Sequence, residues 1–145
     1  MAERSFAKEV QKLKQGDGEL FTGEGILGIT KALLENGVGY VGSYQGSPIS
    51  HLMDVLADAQ EILGELGVHF EASANEATAT AMLAASVHYP IRGAVTYKSV
   101  VGTNVASDAL SNLASGASPA ARSSSWARIS ARAPRSCRSV PMPSR

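Results

Sequence analysis

Asn36-Gly37-Val38-Gly39-Tyr40-Val41-Gly42-Ser43-Tyr44-Gln45-Gly46-Ser47-Pro48 decides the fold. Asn36-Gly37 is a helix stop, because glycine takes the positive φ that closes a C-terminal turn. Residues 38–43 are short, mostly apolar and bounded by turn residues, which predicts a strand buried on both faces. The loop 44–48 follows, with Ser47 suited to cap a new helix and Pro48 to be its first residue. Helix, buried strand and helix in succession are the repeating unit of an α/β fold.

The same alternation extends both ways. Ile26, Ile29, Leu33 and Leu34 give residues 25–36 a helical period, and Phe6, Val10 and Leu13 make 5–15 a short amphipathic helix ended by Gly16-Asp17-Gly18. Downstream, Leu52, Val55, Leu56, Ile62 and Leu63 mark a helix running to a stop at 64–67. A strand at 68–72, an alanine-rich helix at 75–87, a strand at 93–97 and a helix at 101–113 complete the pattern. It predicts a parallel sheet flanked by helices on both faces. Ligands of such sheets bind beyond the carboxyl ends of the strands, here loops 44–48, 73–76 and 98–104.

The 145 residues, 44% hydrophobic, suit one domain, but the formal charge of zero hides two unlike parts. Residues 1–116 hold all 13 acids against 7 bases, a net −6; the last 29 hold six arginines and no acid, a net +6. No apolar run approaches the roughly 18 residues that span a bilayer, and the start lacks a signal-peptide core, which predicts a cytoplasmic chain without membrane contact. The single cysteine, Cys137, rules out a disulfide framework, a thiolate zinc site and an iron–sulfur ligand set within the chain. An acidic body poor in aromatics is a poor nucleic-acid binder.

Gly23-Glu24-Gly25-Ile26-Leu27-Gly28 satisfies the dinucleotide pattern G-x-G-x-x-G. Its context fails: no buried strand precedes it and no acid closes the next strand, so packing of small residues at a helix start explains it better. His51, His69 and His88 are scattered without metal-ligand spacing, and neither a Ser/His/Asp grouping nor a phosphate loop is present. Glu76 opens the almost wholly apolar helix Ala77-Thr78-Ala79-Thr80-Ala81-Met82-Leu83. It either favours the helix dipole or stands at the mouth of an apolar cleft, where desolvation favours its protonated form and suits it to proton exchange with a ligand. Lys98-Ser99 ends a strand ahead of Gly102-Thr103-Asn104, which reads either as a solvated loop with Thr103 or Asn104 as cap, or as donors for an anionic substrate.

Four segments carry a resemblance. Thr22-Gly23-Glu24-Gly25 sits where one family has T-G-N-E-A, and Tyr44-Gln45-Gly46-Ser47-Pro48-Ile49-Ser50 resembles Y-P-G-T-P-S-S. Ser73-Ala74-Asn75-Glu76 matches S-T-N-E, and residues 98–108 resemble K-H-V-G-L-N-V-A-A-D with one residue inserted. In this order and spacing they resemble the N-terminal pyrimidine-binding domain of the 2-oxoacid:ferredoxin oxidoreductases, nearest to the branch that uses indolepyruvate and other arylpyruvates. The resemblance covers residues 20–116 and implies a partial pyrimidine domain there; residues 1–19 read from their pattern as a helical arm, and 117–145 from their composition as a foreign tail.

It further implies thiamine diphosphate as cofactor, with Gly46, Ser47, Pro48, Asn75 and Glu76 toward the aminopyrimidine and Glu76 as the proton-holding acid. Lys98, Ser99 and Asn104 would line the cofactor or substrate side, although the insertion and Ser99 in place of the family's histidine depart from the pattern. A diphosphate-binding domain, a second subunit, ferredoxin and coenzyme A are the implied partners. Magnesium and [4Fe-4S] clusters would belong to parts of the parent enzyme outside this chain, which alone should be inactive.

The tail, 8 Ser, 6 Ala, 6 Arg and 4 Pro in 29 residues, reads as a basic interaction arm or as a product of another reading frame. Residues 117–126 can be coded GCG TCA CCG GCG GCG CGC TCA TCA TCG TGG. One G restored in front turns this into Gly-Val-Thr-Gly-Gly-Ala-Leu-Ile-Ile-Val, a glycine turn and a strand, and the same frame can continue as an acidic loop. The rival to the enzyme reading is a non-catalytic α/β module that binds a small anion or a partner protein through its arginine tail.

Overall fold

The computed structural model describes residues 5–16, 18–86, 88–89 and 91–115. The Ser/Arg/Pro-rich tail at 117–145 lies outside them. Three strands, β1 (Val38–Ser43), β2 (His69–Ala72) and β3 (Arg92–Thr96), form one sheet in the order β2-β1-β3. All neighbours are parallel, with Ser43 level with both Ala72 and Thr96. The α/β architecture expected from the alternation is present.

Helices α1 (Gly25–Glu35), α2 (Ser50–Asp58) and α3 (Gln60–Glu65) pack with β1 and β2, whereas α4 (Glu76–Ser86) packs with β1, β3, α5 (Ser99–Val105) and α6 (Ser107–Ser115). Alternation along β1 assigns the faces. Val41 joins the large core of Leu27, Leu33, Leu52, Val55, Leu56 and Leu63, while a β-carbon at Gly42 would lie 3.4 Å from the Ala79 carbonyl of α4. The first face is therefore a thick aliphatic layer, and the second is closed by small residues such as Ala79, Thr80 and Ala106, all 0% exposed.

At the N-terminal end the expected amphipathic helix is instead a 3-10 helix, Glu9–Lys14, whose Val10 and Leu13 join Phe6 in the first-face core. Lys31 Nζ donates to the carbonyls of Leu13 and Gln15, and the Phe6 amide donates to Asp58, which ties this segment to α1 and α2.

Several boundaries differ from the sequence reading. Ser47 does not cap α2 and Pro48 is not its first residue: the chain makes a turn closed by Ile49 N donating to Gly46 O at 2.9 Å, the Ser47–Pro48 peptide is cis, and the helix starts at Ser50. The long helix expected after it is divided at Ala59, and the one expected at 101–113 begins earlier, at Ser99, and is divided at Ala106. Thr103 and Asn104 consequently sit inside α5 and cap nothing at its start. Among the described residues no strand precedes α1, whereas the dinucleotide pattern at residues 23–28 requires one.

Candidate functional site

The three strand ends converge. Ser73 N donates to Ser43 O at 2.7 Å and Tyr44 N donates to Thr96 O at 3.0 Å, so the loops leaving β1, β2 and β3 are laced together at the carboxyl edge of the sheet. Gly46 lies against Lys98 so closely that a β-carbon there would stand 2.7 Å from Lys98 Cβ. Ser47 and Pro48, next in that loop, are exposed.

Asn75 and Glu76 follow β2. Asn75 Oδ1 accepts from the Thr78 amide at 2.8 Å and the Thr78 hydroxyl at 3.0 Å, the capping arrangement that satisfies a free amide of a helix's first turn. With its neighbour fixed in this way, Glu76 becomes the first residue of α4 and is 6% exposed. Thr80 Oγ1 donates to the Glu76 carbonyl at 2.9 Å and lies 3.4 Å from the Tyr97 hydroxyl, so the helix start is also tied to the end of β3.

The Glu76 carboxylate itself accepts no hydrogen bond from the described residues. Glu76 is buried as a residue, yet its carboxyl oxygens are not among the buried partnerless atoms of the described residues, so the carboxylate reaches the surface of this edge.

Three polar atoms at this edge are buried without a partner: the hydroxyl oxygens of Ser43, Ser73 and Thr96. None stands out in the sequence, since single hydroxyls at strand ends have no pattern of their own. Tyr97 was also missed. Its ring packs so tightly on α5 that a β-carbon at Gly102 would fall 2.3 Å from Cδ2, and small residues at helix positions facing an aromatic are the one signal that could have revealed it.

The remaining expected residues divide. Lys98 is exposed beside Gly46, and Ser99 is half-buried as the first residue of α5. Asn104 is exposed, five residues after Ser99 in the same helix. Among the described residues no three His, Cys, Asp or Glu side chains gather as a metal centre; His51 pairs with Asp54 at 3.1 Å, and His69 stacks on Tyr40. No helix of the described residues is long and apolar enough to cross a membrane.

An α/β chain with a laced carboxyl edge and Glu76 at the first turn of α4 places its polar groups where sheets of this kind take ligands, but names no particular ligand. Comparison with known proteins narrows it. The chain is similar to the indolepyruvate oxidoreductase subunit IorA of Methanothermobacter marburgensis and to that of Methanothermobacter thermautotrophicus, each 37% identical over 84 residues. The match takes in 58% of this chain, and the chain spans only 13% of each relative's length. No protein-family profile matches the chain, and no solved structure matches it.

Proposed function

We propose that residues 20–116 are the pyrimidine-binding part of a thiamine diphosphate-dependent 2-oxoacid oxidoreductase, with indolepyruvate or another arylpyruvate as substrate. The observation that carries this reading is Glu76: a residue 6% exposed as a whole that opens a helix at the carboxyl edge, its carboxylate accepting no hydrogen bond from the described residues. The residues fit the cofactor's aminopyrimidine, which offers a ring nitrogen that needs an acid beside it and an apolar ring face.

Thiamine diphosphate supplies an electron sink for decarboxylation of the 2-oxoacid. The chain's part is to orient and to hold a proton. Glu76 would share a proton with the pyrimidine nitrogen, Asn75 fixes the first turn of α4 that carries it, and Gly46 lets the 44–49 loop approach Lys98 at the same edge. Ser47 and Pro48 are exposed in that loop, with Lys98 against Gly46 and Ser99 next to Lys98 on the cofactor or substrate side. A diphosphate-binding domain and a second subunit complete the site, and they bring magnesium, [4Fe-4S] clusters, ferredoxin and coenzyme A. By itself the chain binds cofactor weakly and turns over nothing.

The test is thermal denaturation of the chain with and without thiamine diphosphate, beside Glu76→Gln and Glu76→Ala. Wild type should melt higher with cofactor, by an amount that grows with its concentration, and both variants should lose the shift while keeping their cofactor-free melting temperature within a few degrees. Equal shifts in all three proteins would sink the assignment of Glu76.

A further inference from the structure

Two hydroxyls are sealed at the root of the loop that follows β1. Val41 and Ala94 are level across β1 and β3, and both belong to the first-face core. Two residues further on, Ser43 and Thr96 are level as well, so their side chains leave the sheet on that same face. Ser43 is 0% and Thr96 6% exposed, and neither hydroxyl oxygen has a hydrogen-bond partner among the described residues. The 44–49 loop spans this end of the face: Tyr44 N donates to Thr96 O, Gly46 lies against Lys98, and Ile49 turns back into the first-face core.

The loop is lightly held. Among the described residues its only hydrogen bond to the sheet is the one from Tyr44 N, and the side chains of Tyr44, Gln45 and Ser47 make none. Gln45, Ser47 and Pro48 are exposed. A hydroxyl buried without a partner opposes the state that buries it, because water satisfies it once it is uncovered. Two such groups under a loop with one bond to the sheet bring its closed and open states close in free energy.

We infer that the 44–49 loop is a gate on the first-face side of the carboxyl edge, and that hydration of the Ser43 and Thr96 hydroxyls favours its opening. The loop lifts between its two anchors, Ser43 in β1 and Ile49 in the core. Lifting it uncovers the polar ends of β1 and β3 on the face opposite α4, the helix that Glu76 opens. The gate stands apart from whatever ligand the carboxyl edge takes.

The test is amide hydrogen exchange, residue by residue and corrected for intrinsic rates, on the full 145-residue chain as wild type, Ser43→Ala, Thr96→Val and the double variant. In the wild type the Tyr44 amide should exchange at least tenfold faster than the Leu63 amide, which donates to Ala59 O within the aliphatic core. Each variant removes a hydroxyl at little change of shape, and each should slow Tyr44 by about fivefold or more, the double variant by more than either. Three results would overturn the gate. Tyr44 as slow as Leu63 in the wild type would show that the loop does not open by itself. Slowing at Leu63 with Tyr44 unchanged would show that the hydroxyls stay covered when the loop moves. Faster exchange at Tyr44 in either variant would show that the closed loop gives the hydroxyls a partner, such as a bound water.

Discussion

Gly46 and Lys98 are in backbone-level contact across the carboxyl edge: a β-carbon on Gly46 would stand 2.7 Å from Lys98 Cβ and 3.5 Å from Lys98 N. The opposing atoms belong to the rigid base of the lysine, so the loop after β1 and the end of β3 must separate to admit a methyl group. Gly46→Ala should lower the unfolding free energy by about 1–3 kcal/mol in urea titrations. Lys98→Gly removes the opposing β-carbon, and the double variant should regain much of the loss. Strictly additive effects would show that the contact is not the cause.

Gly102 poses the same question on the other side of β3. Its missing β-carbon makes room for the Tyr97 ring, and Tyr97 in turn lies 3.4 Å from the Thr80 hydroxyl that holds the Glu76 carbonyl. Gly102→Ala should therefore destabilise by about 1–3 kcal/mol despite alanine's better helix propensity, and it should also weaken the thermal response to thiamine diphosphate. Should Gly102→Ala raise the melting temperature, the ring is not where it is described.

Tyr40 is buried, and its hydroxyl has no hydrogen-bond partner. Burial first, and the charge of Glu71 second, push its pKa above the ordinary 10.0. The folded chain thus keeps the phenolic proton after the unfolded chain has begun to lose it. This contribution is fully present below pH 10.0 and is lost as pH rises through the raised value. Urea midpoints of the wild type should fall above about pH 10 more steeply than those of Tyr40→Phe. At neutral pH the phenylalanine variant should be as stable or slightly more so, because it removes an unsatisfied hydroxyl at little change of shape.

Leu52 is 0% exposed in the first-face core, whereas Leu20 is 83% exposed. Leu52→Ala should cost about 2–5 kcal/mol through lost transfer energy and the cavity left behind. Leu20→Ala should stay within about 0.5 kcal/mol of wild type in the same titration.

Much of this architecture is legible in the sequence, because its strongest signals are local. Asn36-Gly37 marked the end of α1, Gly37 takes φ +69°, and β1 occupies Val38–Ser43 as the apolar run predicts. Where local rules compete, the sequence misleads. Ser47-Pro48 has the composition of a helix start, yet the chain uses it for a turn that brings Gly46 against Lys98, a requirement set by a residue fifty positions away. The divisions at Ala59 and Ala106 carry no sequence signal because alanine is the best helix former; the backbone there takes φ −90°, ψ 5° and φ −89°, ψ 9°, outside the helical range. At the site, Glu76 could be picked out as an acid opening an apolar helix. The partnerless hydroxyls of Ser43, Ser73 and Thr96 could not, since only the register of three strands brings them to one edge.

The unequal thickness of the two layers has a kinetic meaning. Leu27, Leu52, Leu56 and Leu63 anchor the α1–α3 side, but the α4–α6 side is held by Ala79, Thr80, Ala106, Leu83 and Leu113. Smaller buried areas give smaller opening energies, so the α4 layer is the unit that detaches first in sub-global fluctuations while the opposite layer stays closed. Glu76 rides on that looser layer. Whatever seats itself on the carboxylate therefore acts as a clasp on the weaker half of the molecule, and its arrival should be felt most in the exchange rates of α4, far less in those of α1.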